Sequence, residues 1–61
     1  MSDTATANSK ASAAINRYPH LKSQIMESWE LMSDEISEGG SEDHEVELFL
    51  SALDDITEGE V

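Results

Sequence analysis

Residues 21–41, LKSQIMESWELMSDEISEGGS, decide the fold. Their apolar side chains, Leu21, Ile25, Trp29, Met32 and Ile36, follow steps of four, four, three and four, the period of an α-helix and not of a strand. Tyr18 extends the same face backwards. At about 100° per residue these side chains share an arc of roughly 80°, a narrow seam of the kind one helix offers another. The run stops at Glu38-Gly39-Gly40-Ser41. Glycine accepts the left-handed conformation that ends a helix, and Ser41 is a good N-cap for the next one.

Beyond that turn the pattern resumes as Val46, Phe49, Leu50, Leu53 and Ile56, again helical in spacing, with Glu42, Asp43 and Glu45 in the first turn, where carboxylates meet the positive end of the helix dipole. A connection this short places consecutive helices antiparallel. The expected fold is therefore all-α: an antiparallel helical hairpin with helices near 19–38 and 42–57, the first opening on Pro19, a residue suited to the first helical position. Upstream, residues 10–17 hold good helix formers behind a candidate N-cap at Ser9, enough for a short N-terminal helix when docked. Residues 1–9 are small and polar and are expected to form a disordered tail, residues 10–58 the hairpin unit, and residues 59–61 a frayed end.

The chain has 61 residues, a size at which a single folded domain buries only about 60% of its unfolded surface. With no cysteine, neither a disulfide nor a thiolate zinc site can staple it. Two helices cannot fully cover both seams, so the hairpin is expected to be completed by a copy of itself or by another protein. On this reading the interface seam is Leu21, Ile25, Trp29, Met32, Ile36, Val46, Phe49, Leu50, Leu53 and Ile56. Met26, Leu31 and Leu48 lie off these seams, and Leu48 projects almost opposite Val46 and Leu50. Together they suggest a second contact surface.

Charge is distributed unevenly. The net charge is −11, yet Lys10, Arg17 and Lys22 all precede Ser23, and from there to Val61 the chain carries thirteen acids and no base. A surface of that sign repels phosphate backbones and anionic lipids, which argues against direct nucleic-acid or membrane binding. No apolar run approaches the ~18 residues of a membrane span, and the first residues carry neither a basic nor an apolar signal region. The expected setting is the cytoplasm. Any charged partner should be basic, and the expected acidic contact surface is the turn end: Asp34, Glu35, Glu38, Glu42, Asp43 and Glu45.

No catalytic constellation emerges. The neighbouring acids Asp34/Glu35, Glu42/Asp43 and Asp54/Asp55 diverge by about 100° on a helix and make poor acid–base dyads. Residues 38–43 lack the alternating oxygens of a calcium loop. His44 and Glu47 resemble half of a di-iron motif without its repeat, and His20 reads as a surface residue. The serines have no nucleophile-elbow context, and no glycine-rich phosphate loop is present. The sequence leads to a non-catalytic protein–protein interaction module or accessory subunit, with no cofactor and no metal, whose partner is another protein or its own copy. The alternative is an acidic inhibitor, antitoxin-like or nucleic-acid-mimic protein that occupies a basic surface of its target.

Overall fold

A computed structural model describes residues 3–60. They form α1 (Thr4–Arg17), a 3-10 turn (Pro19–Leu21), α2 (Lys22–Ser37) and α3 (Glu42–Glu58), with no strand among the described residues. No helix is long and apolar enough to cross a membrane.

Helix α1 begins well before the expected cap at Ser9. Asp3 is the N-cap: its backbone is extended and its carboxylate accepts the Thr6 N–H at 2.8 Å. The alanine-rich sequence that follows has high helix propensity, which the search for apolar periodicity undervalues. Residues 4–9, expected as a disordered tail, are therefore helical, and Ala7 is fully buried. Met1 and Ser2 lie outside the described residues. The helix ends at Arg17 because Tyr18 precedes a proline, and the Pro19 ring disfavours α conformation there; Tyr18 has φ −130° and ψ 73°. Pro19 opens the 3-10 turn, so α2 starts three residues after the expected position.

The connection between α2 and α3 uses both glycines. The Gly40 N–H donates to the Glu35 carbonyl at 2.8 Å and the Gly39 N–H to the Ile36 carbonyl at 3.1 Å, the paired bonds of a Schellman motif. Gly39 has φ +100°, and a Cβ at Gly40 would sit 2.7 Å from the Glu35 carbonyl oxygen. Ser41 then caps α3, its hydroxyl accepting the His44 N–H at 3.5 Å. The far end closes differently from expectation. Gly59 and Glu60 form a turn, and the Glu60 carboxylate meets His20 Nε2 at 2.6 Å, where a frayed end was expected; Val61 lies outside the described residues.

The core consists of Ala7, Ala11, Leu21, Ile25, Met32, Val46, Phe49 and Leu53. Tyr18, Trp29, Ile36, Leu50 and Ile56 pack around it, partly buried. Every seam residue is thus inside or against one intramolecular core. Helix α1 supplies the cover that two helices lack, and it does so with alanines, whose small side chains let its backbone approach α2 and α3. No polar or charged side chain is buried among the described residues.

Candidate binding surface

The side chains left outside the core mark the surface. Leu31 is 62% exposed, Leu48 53% and Met26 42%, the only large apolar side chains so exposed among the described residues. Leu31 sits on α2 one residue before buried Met32, and Leu48 on α3 one residue before buried Phe49. One residue along a helix is a turn of about 100°, so Leu31 and Leu48 lie within reach of the space beside Met32 and Phe49 respectively, although Leu48 points away from Val46 and Leu50. The packing of α2 on α3 brings them to the walls of one groove, floored by Met32 and Phe49 and bounded by Ser28, Glu35, Glu45 and Ala52, with a volume of about 220 Å³. The Trp29 and Phe49 rings, edge to face at 5.5 Å between centroids, pack α2 against α3.

Met26 lies elsewhere, in a smaller depression of about 140 Å³ between α1 and α2 with Ile15, Ile25 and Trp29. The three off-seam residues therefore do not form one patch. A third cleft, about 510 Å³, runs between α1 and α3 and is lined by Ala13, Ala14, Arg17, Tyr18, Asp54, Thr57 and Glu58. It is larger, and its wall combines alanines and the Tyr18 ring with the charged side chains of Arg17, Asp54 and Glu58. Its lining is more polar than that of the Leu31–Leu48 groove.

The expected acidic surface divides. Glu42 turns to α1, where its Oε2 accepts both the Thr4 N–H at 2.9 Å and the Thr4 hydroxyl at 2.7 Å. The Thr4 hydroxyl, followed by the Thr4 N–H, holds the Glu42 carboxyl below its ordinary range, and the Thr6 N–H does the same for Asp3. Both carboxylates sit at the positive end of the α1 dipole. Glu42 is thus a structural contact that ties α1 to α3. Glu35 and Glu45 instead line the Leu31–Leu48 groove, and Asp34 and Glu38 are exposed on the same end of α2. Neither Lys nor Arg lines that groove.

Among the described residues, no group of three His, Asp or Glu side chains is placed to hold a metal ion. His44 is exposed at the start of α3, and His20 is engaged with Glu60. Comparison with family models, with curated proteins and with solved structures gives no match to this chain.

Proposed function

We propose that this chain is an acidic, non-catalytic protein-binding module or accessory subunit, in which an antiparallel α2–α3 hairpin, closed by α1, presents the Leu31–Leu48 face to another protein. The observation that supports this reading is the pair of exposed leucines on one groove, in a small chain whose other leucines are buried or half-buried. Scattered exposed leucines are ordinary, but two that wall a groove with an apolar floor offer a contiguous surface. The test sets immobilised wild-type protein beside the Leu31→Ser/Leu48→Ser double variant in extract of the source cells. A protein retained by the wild type and lost by the variant supports the reading. Identical capture by both overturns it.

A second reading rests on a different observation, the thirteen acids and absent bases from Ser23 onward, which cover α2 and α3. Here the acidic helices mimic nucleic acid and occupy a basic site of the target. Binding would then weaken steeply with salt and survive the leucine substitutions. Self-association through the leucine face is the remaining form of the binding reading, and sedimentation equilibrium at micromolar concentration distinguishes it.

A further inference from the structure

We propose that the Leu31–Leu48 groove takes a short, basic, amphipathic helix of another protein; this rests on the binding reading above and names the chemistry of the partner. The apolar part of the argument is the groove itself. From the level of Ser28 and Ala52 to that of Glu35 and Glu45 it spans seven residue steps along each helix, about 10 Å at 1.5 Å per residue. That length matches two turns of a guest helix, which would set apolar side chains at i, i+3 or i+4, and i+7 against Leu31, Met32, Leu48 and Phe49.

The charges around the groove select the guest. Glu35 and Glu45 line it; helical geometry places Glu27, Asp34 and Glu35 within about a turn of Leu31 on α2, and Glu45, with His44, within about a turn of Leu48 on α3. Lys10 and Arg17 belong to α1, and Lys22 opens α2 more than two turns from Leu31. Lysines or arginines flanking a guest's apolar stripe would meet carboxylates on both sides. A second copy of this chain fits badly, because a two-fold contact sets Glu35, Glu45 and their neighbours against themselves, with −11 on each chain. Anionic lipid is repelled by the same rim. An extended peptide finds no sheet edge to pair with among these helices.

The experiment uses the full chain, labelled with ¹⁵N, in about 150 mM salt, a concentration at which exposed charges more than about 8 Å apart are screened. The probe is an 18-residue peptide with leucines at helical spacing and lysines flanking them. Two controls are a composition-matched scramble without that periodicity and the same amphipathic peptide with glutamate replacing lysine. Expected are amide shifts concentrated at residues 28–35 and 45–52, no saturable binding of either control, and at least about a tenfold loss of affinity in Leu48→Ser, the size expected from leaving one leucine unburied. Equal binding of the scramble, or shifts centred on the α1–α3 cleft, would overturn the proposal. Binding of the glutamate peptide to the same groove would defeat the basic-partner inference while leaving the binding reading intact. If no helical peptide of any charge perturbs the groove, both fail. A dimer that Leu48→Ser dissociates would make a second copy the occupant, and the inference would again fail alone.

Discussion

Replacing Gly40 by alanine tests the turn that sets α2 against α3, and so the groove itself. The added Cβ would lie 2.7 Å from the Glu35 carbonyl oxygen and 3.2 Å from its carbon, both backbone atoms that cannot rotate away. Relief requires the chain to move, and the 2.8 Å bond from the Gly40 N–H to that same oxygen is the first casualty. Losing that bond costs about 0.5–1.5 kcal/mol, and strain at a tight backbone position adds about 1–3 kcal/mol. Gly39→Ala is the internal comparison: a Cβ there meets open space, so its cost is only that of φ +100° for an L-residue, about 1–2 kcal/mol. A chain of 61 residues has a stability of roughly 3–9 kcal/mol, so both effects fall within range of a urea titration followed by helical circular dichroism. The expected order of stability is wild type, then Gly39→Ala, then Gly40→Ala. A Gly40→Ala midpoint within error of wild type would refute the turn geometry, and with it the register that brings Leu31 and Leu48 to one groove.

Further expectations follow from the core and the caps. Phe49→Ala removes a side chain 3% exposed and should cost about 3–5 kcal/mol, enough to leave a large unfolded fraction, while Trp29→Ala, half-buried at its edge, should cost less; thermal melts of both variants check the order. Leu31→Ser and Leu48→Ser should each change stability by no more than about 0.5 kcal/mol, because surface positions carry little, and a larger loss in urea would move these leucines into the core. Asp3 and Glu42 have carboxyls held below their ordinary values of 3.8 and 4.5, so the deprotonated forms favour the fold. Their contribution is present above those values and is lost as pH falls through the lowered ones. Protection of the amides of residues 4–7, measured against their intrinsic exchange rates at each pH, should therefore fall on acidification from about pH 4.5, the ordinary Glu42 value, with Glu42→Gln already poorly protected at neutral pH. Protection that is independent of both would show that these caps do not hold α1.

Much of this fold was legible in the sequence because two helices announce themselves by large apolar residues at regular steps, and Gly39-Gly40-Ser41 names the turn between them. Helix α1 was not legible by the same signal. Its buried residues, Ala7 and Ala11, are too small to stand out against neighbouring alanines, and Ile15 is the one large side chain on their face. The available signal was Asp3 followed three residues later by Thr6, a cap pattern, together with alanines four apart. That omission is also why the seam from Leu21 to Ile56 read as an interface. In the single chain α1 packs over that seam, whose residues lie in or against one core. The acidic turn end was readable as composition, but the turn of Glu42 toward Thr4 depends on a contact 38 residues away in sequence. Leu31 and Leu48 stood out singly as off-seam residues. They lie equally far from the Gly39–Gly40 junction, and in consecutive helices joined by a tight turn that equality puts them level with one another.

The central claim is that α1, α2 and α3 bury one seam among themselves and leave Leu31 and Leu48 open. Leucine methyl groups report both halves at once. With methyl-labelled protein at micromolar concentration and a neutral nitroxide added to the solvent, Leu31 and Leu48 signals should broaden strongly, while those of Leu21 and Leu53, 5% and 7% exposed, stay sharp. Leu50, half-buried, should fall between them. Sharp Leu31 and Leu48 signals that broaden only on dilution would mean that a second copy covers the face, and strong broadening of Leu21 and Leu53 would mean that α1 does not close the core.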